Sequence, residues 1–314
     1  MIQVHRDLQH LPEFKKAVIT IGTFDGVHLG HQQIIKLLKA EAAEIGGETV
    51  IITFHPHPRK VVSHGKSAVK IINTLPEKTE LLDKLGIEHL VVVAFNEEFA
   101  SQAAEEYIEN FLVKNFHPST IIIGYDHKFG KNRLGDYHLL ENMGEKYNYR
   151  VKEIPEHVLN QITISSTKIR EALLKPDIDT ANTFLGYDYF FEGKVVEGNK
   201  LGRTIGYPTA NLVIENEEKL IPGNGVYAVR LTIGVNEVIL KGMMNIGMRP
   251  TVDGTKRTIE VNIFNFDEDI YGQVMKVYIH KFLRGEVKFD GLEQLKEQLA
   301  KDKIKAGAIL DLGM

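Results

Sequence analysis

A chain of 314 residues, 43% hydrophobic and 25% charged, is long enough for two cores and has no compositional bias toward disorder. It has no cysteine, which excludes disulfides, iron–sulfur clusters and thiolate zinc sites. A net charge of −4 and a pI near 6.4 argue against a protein held on nucleic acid by bulk electrostatics, so any phosphate ligand must be bound locally, by loops and helix ends.

Residues 1–10 have no apolar run of signal-peptide length, and no later stretch approaches the ~20 apolar residues of a membrane span, so the expected location is the cytoplasm. Segments 17–22, 49–54, 89–95 and 120–125 are continuous and β-branched, the pattern of strands buried on both faces. Between them, 29–45, 76–85 and 101–115 have helical periodicity. Strand–helix–strand repetition predicts a parallel sheet with helices on both faces, and ligands then bind beyond the carboxyl ends of the strands. A short helix over 177–184 leads to a boundary near 180–187, with units expected at 1–184 and 185–314. Beyond it, 187–197, 210–214, 225–233, 238–246, 257–266 and 274–282 read as short strands separated by glycine-rich turns. Several alternate apolar and polar residues, which predicts a small antiparallel barrel, followed by one helix over 291–302.

The first motif, Gly22-Thr23-Phe24-Asp25-Gly26-Val27-His28-Leu29-Gly30-His31, sits where a buried strand passes into an amphipathic helix. The i, i+3 spacing puts His28 and His31 on one face of the first turn. Gly22, Gly26 and Gly30 let a phosphate approach the backbone, the helix N-terminus favours negative charge, and two imidazole donors can stabilise charge building on a phosphate under attack. A bare histidine pair at such a junction could equally be solvated; its placement after the first strand decides for the functional reading. Segment 164–170 opens another helix, with Ser166 or Thr167 as the N-cap. Capping explains one hydroxyl, but not Ser165, Ser166 and Thr167 followed by Arg170 one turn on, a set able to hold a triphosphate.

In the second half, Gly202 and Gly206 make a flexible turn and Pro208 fixes the chain ahead of a strand. Thr209 and Asn211 then alternate to one side of that strand, and their oxygens form a hard-ligand pair for magnesium carrying nucleotide phosphates. Alone, this segment would be an edge strand with two polar surface residues. Glu260, in the alternating segment 257–266, can face the same interior and act as general base on a primary hydroxyl.

Together these segments resemble the bacterial bifunctional riboflavin kinase/FAD synthetases. Residues 22–31 match the adenylyltransferase half of that family almost letter for letter, 53–58 and 124–130 match its flavin-side loops more loosely, and 164–170 match its serine/threonine loop. Residues 202–212, 244–251 and 257–272 resemble its riboflavin kinase barrel, so the resemblance runs over essentially the whole chain in the family's domain order. It implies a Rossmann-like nucleotidyltransferase sheet making FAD from FMN and ATP, joined to a barrel making FMN from riboflavin and ATP with Mg2+. Carried over, Gly22, Phe24, Asp25, Gly30, Ser165, Ser166, Thr167 and Arg170 would hold the ATP that His28 and His31 contact at its phosphates. Phe54, His57, Asp126 and Phe129 would lie beside the flavin. Gly202, Gly206, Pro208, Thr209 and Asn211 would bind Mg-ATP in the barrel, with Glu260 activating the ribityl hydroxyl. The expected partners are small molecules, with no nucleic acid and no membrane. This sequence departs from the family's usual residues at His55, His127, Asn262 and Asn265. Two alternatives stay open on these residues: a chain keeping only one activity, FAD synthesis before the kinase, or a flavin-binding regulator.

Overall fold

The computed structural model describes residues 1–62, 69–154, 164–198, 201–251 and 254–312. The chain forms two compact units, Met1–Ser165 and Ser166–Met314. In the first, the strands are β1 (Gln3–His5), β2 (Val18–Ile21), β3 (Thr49–His55), β4 (His89–Ala94), β5 (Thr120–Gly124) and β6 (Arg150–Ile154). They form one parallel sheet in the order β1-β4-β3-β2-β5-β6. The chain moves from β2 to β3 and β4 on one side and returns to β5 on the other. The topological switch point therefore falls beside β2, where a parallel sheet opens a crevice at its carboxyl ends.

The helices that bear on the site are α1 (Leu29–Ile45), α2 (Pro58–Val62) and α3 (Leu75–Lys84). Helix α1 ends on Gly46 in the left-handed region, a standard stop because glycine has no Cβ to clash there. Helix α3 starts with a reciprocal cap, in which the Glu77 amide donates to Thr74 Oγ1 and the Glu77 carboxylate accepts from the Thr74 amide. The helix expected over 101–115 is interrupted: α4 covers Glu97–Ala100, and α5 runs through Ala104–Glu106, a π-helical stretch Tyr107–Val113 and Lys114–Phe116. Some elements lie outside the sequence pattern, the short helices α2 and α4 and three that shape the sheet and its flank. The three are β1, β6 and α6 (Tyr137–Tyr147). Strand β1 is three residues long, and β6 carries mostly polar, exposed residues at the sheet edge, so neither presents an apolar run.

At the opposite end of the sheet from the crevice, α1 carries a buried carboxylate. Glu41 accepts from Thr120 Oγ1 at 2.8 Å and Arg150 Nη2 at 3.1 Å, and pairs with Lys152. Burial pushes its carboxyl up, but the Lys152 and Thr120 hydrogen bonds and the charges of Lys152 and Arg150 outweigh that and hold it below the ordinary glutamate value. A depressed carboxylate stabilises the fold above its unfolded pKa and loses that contribution as pH falls through the folded value. Glu41→Ala is therefore expected to cost about 1–2 kcal/mol at pH 7, since both cations are half-exposed and screened. The gap between variant and parent should close below about pH 4 in urea unfolding at a series of pH values.

In the second unit, α7 (Ser166–Leu174) and α8 (Ile178–Leu185) precede a closed barrel. Its strands are β7 (Tyr189–Val196), β8 (Ala210–Val213), β9 (Gly225–Ile233), β10 (Asn236–Thr251), β11 (Gly254–Ile263) and β12 (Val274–Arg284), in the order β10-β11-β8-β7-β12-β9. Every pair is antiparallel. Helix α8 is tied to the barrel through Asn182, which donates to Ile279 O at 2.9 Å and accepts from the Tyr189 amide at 2.8 Å. The compact units thus divide at Ser165/Ser166, and α8 groups with the barrel; the sequence pattern places the change at 184/185 because helical periodicity stops there. After the short α9 (Leu201–Thr204) and the barrel strands, α10 runs from Leu292 to Asp311, nine residues past the expected end. It packs Leu299, Ala306 and Leu310 on Val226, Ala228 and Met243 of the barrel. Asp302, buried on α10, accepts from Arg284 Nε at 3.0 Å and Nη2 at 2.7 Å, a bidentate pair that fixes the helix to the end of β12.

Candidate active sites

The turn after β2 delivers the histidine pair. Gly22 N donates to Ile52 O of β3 at 3.0 Å, and the chain then passes through three residues in the left-handed region, Phe24 (φ 45°), Gly26 (φ 91°) and Val27 (φ 36°). His28 is the N-cap of α1, its Nδ1 accepting from the His31 amide at 3.4 Å. The two imidazoles stack with centroids 3.7 Å apart and planes 17° apart, and Phe24 lies 4.8 Å from the His31 ring. Glycine at 30 leaves room beside the stack, since a Cβ there would stand a tight 3.1 Å from His28 Cε1. Burial, then His28, then Lys78 push the His31 imidazole well below the usual histidine value. His31 Nδ1 is buried with no hydrogen-bond partner among the described residues.

Phe24 and Asp25 are buried, each 2% exposed. The Asp25 carboxylate accepts from the amides of Ile72 at 2.9 Å and Asn73 at 3.2 Å, stapling the turn to the segment ahead of α3. That segment brings in a residue the sequence motifs did not flag. Lys78 donates to Thr23 O at 2.6 Å and to Thr53 Oγ1 at 3.3 Å, beneath the turn. Burial lowers the Lys78 ammonium to about 8, with Asp25 opposing the shift. The signal was present in the sequence: Lys78 falls on the same helical stripe as Leu81 and Leu82, a polar residue on an apolar face.

The flavin-side candidates follow β3 and β5, the two neighbours of β2. Phe54, at the end of β3, is half-buried and packs edge-on to Phe95 at 5.4 Å. His57 accepts from the Arg59 amide at 3.2 Å at the start of α2. Asp126 is exposed in the loop after β5, but Phe129 is in the core, its ring parallel to Tyr107 at 5.1 Å. Bare glycine at 135 gives the Phe129 ring its place. Beside it, His127 is held neutral: burial lowers it to about 4, Asp126 opposes and Arg133 adds to the lowering. Ser165 ends the first unit, while Ser166, Thr167 and Arg170 lie in α7 of the second. The helix begins at Ser166, so both Ser166 and Thr167 fall in its first turn and not at the N-cap.

The barrel brings Gly202, Thr209, Asn211 and Glu260 to one cavity of about 310 Å³, which Asn245 also lines, while Gly206 and Pro208 are not among its lining residues. The strand register explains this. Glu260 on β11 stands opposite Asn211 on β8 and Asn245 on β10, so carboxylate and two amides form one cross-strand row on one face. Gly198 supplies room: a Cβ there would collide with the Asn211 amide. Gly206 adopts φ 82°, and the turn closes with Tyr207 N donating to Gly202 O at 2.8 Å. Asn262 is buried and donates to Pro208 O at 2.7 Å, anchoring the residue that precedes Thr209. Asn245 falls within 244–251, where the sequence assigns it no role; only the pairing with Glu260 reveals it. Leu295 and Leu299 of α10 give the same cavity an apolar wall. Thr209 and Asn211 offer two neutral oxygens, too few to retain magnesium alone, and suit an ion arriving on nucleotide phosphates.

Family models match both halves of the chain, FAD synthetase over residues 10–168 and riboflavin kinase over residues 185–310. The bifunctional riboflavin kinase/FMN adenylyltransferase of Haemophilus influenzae is 38% identical over 294 residues, covering 93% of this chain and 94% of that protein. The enzyme of the same name from Bacillus subtilis is 38% identical, covering 94% and 92%. A solved structure from Streptococcus pneumoniae, described as a macrolide-efflux protein, is 31% identical with a TM-score of 0.85, covering 96% of this chain and 97% of that one. Among the described residues no helix is long and apolar enough to cross a membrane. On these matches, spanning both units in one order, the chain belongs to the family of bifunctional riboflavin kinase/FMN adenylyltransferases.

Proposed function

We propose that this protein catalyses two ATP-dependent steps in series: phosphorylation of riboflavin to FMN in the barrel, and adenylylation of FMN to FAD at the parallel sheet. The observation that carries the reading is the cross-strand row of Asn211, Glu260 and Asn245 on a cavity that also takes Thr209. In the first step Glu260 accepts the proton of the ribityl 5′-hydroxyl as its oxygen attacks the γ-phosphorus, and ADP leaves. Thr209 and Asn211 would hold the magnesium that arrives with ATP, which would neutralise charge on the phosphates, and the turn of Gly202, Gly206 and Pro208 receives those phosphates. In the second step a phosphate oxygen of FMN attacks the α-phosphorus of ATP and pyrophosphate leaves. His28 and His31 donate to the phosphates, on a turn shaped by Gly22, Phe24, Asp25 and Gly30. Ser165, Ser166, Thr167 and Arg170 are further triphosphate ligands by the family likeness, and Phe54, His57 and Asp126 border the flavin, with Phe129 as a packed support. Neither step calls for a covalent enzyme intermediate, so positioning and charge stabilisation supply the rate.

The test is a chromatographic product assay on the purified protein with ATP and magnesium. Riboflavin should give FMN and then FAD, and added FMN should give FAD with release of pyrophosphate. A chain making FAD from FMN but nothing from riboflavin would leave the adenylyltransferase alone, and one making neither product would leave a flavin-binding regulator.

A further inference from the structure

The turn 23–28 holds a conformation that it would not keep by itself. Positive φ at Phe24 and at the β-branched Val27 is strained by ~1–3 kcal/mol each and persists only where neighbouring groups over-determine it. Those neighbours come from one short segment. The amides of Ile72 and Asn73 grip Asp25, and five residues on, Lys78 reaches the carbonyl of Thr23. Thr53 Oγ1 also donates to Thr23 O, at 3.1 Å, so the first residue of the turn, β3 and α3 meet at one oxygen.

Lys78 is a costly choice for that junction. Its side chain is 7% exposed and follows the stripe occupied by Leu81 and Leu82, where an apolar residue would avoid desolvating an ammonium. The charge faces Asp25 from the turn and His31 from α1, and it helps to keep the His31 imidazole neutral. We infer that Lys78 is a positioning residue for FAD synthesis: by holding Thr23 O and Thr53 Oγ1 it fixes the turn that presents His28 and His31, with its ammonium charge acting on the His31 ring. The inference rests on the function proposed above.

Lys78→Met and Lys78→Arg in the full chain test it, with three readouts on the same samples. With Met, kcat for FMN to FAD should fall by about 10–100-fold, the range for a misplaced catalytic group, with a smaller change in KM for FMN. Riboflavin phosphorylation, in the other unit, should stay within about twofold, as expected of independent sites. NMR titration of ring-labelled histidine should show the His31 pKa rising, because a nearby positive charge has gone. Arginine, which keeps charge and donors, should recover at least part of the lost kcat and return His31 toward its parent titration. FAD synthesis unchanged in the Met variant, an equal fall in both activities, or an unmoved His31 titration would each overturn the role given to Lys78. A parent protein that makes no FAD would overturn the functional reading instead, and the His31 titration would still decide whether Lys78 governs that ring.

Discussion

Replacing Glu260 with glutamine is expected to lower riboflavin phosphorylation by about 10²–10⁴ in kcat, while the same polypeptide continues to turn FMN into FAD. The substitution keeps the shape of the side chain and its place between Asn211 and Asn245, and removes only the capacity to accept a proton. A primary hydroxyl is a poor nucleophile until its proton has somewhere to go, and Glu260 is the carboxylate in the cross-strand row on this cavity. The predicted loss corresponds to roughly 3–5.5 kcal/mol of transition-state stabilisation, at 1.36 kcal/mol per factor of ten. Because the loss is in proton transfer, it should fall on kcat and kcat/KM alike, with KM for ATP little changed. Rates of FMN and FAD formation on one preparation check it, FAD synthesis serving as the internal measure of folding. A glutamine variant that phosphorylates riboflavin at the parent rate would remove Glu260 from the mechanism and leave Glu286, which also lines the cavity, as the carboxylate to test.

How much of this could be read from the sequence depended on the range of the interactions. His28 and His31 were legible because their pairing is local: i, i+3 at the first turn of a helix fixes the geometry, and the structure stacks the rings. Thr209 and Asn211 are legible from their i, i+2 spacing, and both line the cavity, although β8 starts at Ala210 and Thr209 lies just ahead of it. Phe129 was read as a flavin neighbour from its motif, yet its environment is made by Tyr107 and Gly135, and nothing in 124–130 reveals that the ring turns inward. Asp25 is a similar case, since its partners lie 47 and 48 residues away. Lys78 and Asn245 were missed because register and packing define their roles. Asn245 acquires meaning only when β10 is set against β11 with Glu260 opposite, a pairing no periodicity encodes. The polar strand β6 escaped notice because pairing with β5, not an apolar pattern, makes it a strand.

Removing both imidazoles from the other site, as His28→Ala/His31→Ala, is expected to leave a protein that takes riboflavin to FMN and stops there. The reasoning starts from charge. Attack on the α-phosphorus of ATP builds negative charge on oxygens that must be met by donors already in place, since ordering them during the reaction would raise the barrier. The stacked rings at the start of α1 are the proposed donors: His28 is fixed as the N-cap and His31 is pressed between it and Phe24. Burial and the adjoining His28 and Lys78 keep His31 uncharged in the free protein, so the ring is not neutralising a carboxylate elsewhere and keeps its capacity for the phosphates. Arrival of a phosphate reverses the balance, because a neighbouring negative charge favours the protonated ring. Removing one such donor costs ~10²–10³ in kcat, and because the two rings act as a unit the double variant should fall by about 10³ and not by the product of the single losses. The single variants, measured beside the double, show that non-additivity directly, while FMN accumulating at the parent rate from riboflavin reports an intact barrel. Parent-like FAD synthesis in the double variant would take the phosphates away from this turn and leave Ser165, Ser166, Thr167 and Arg170 to hold them alone.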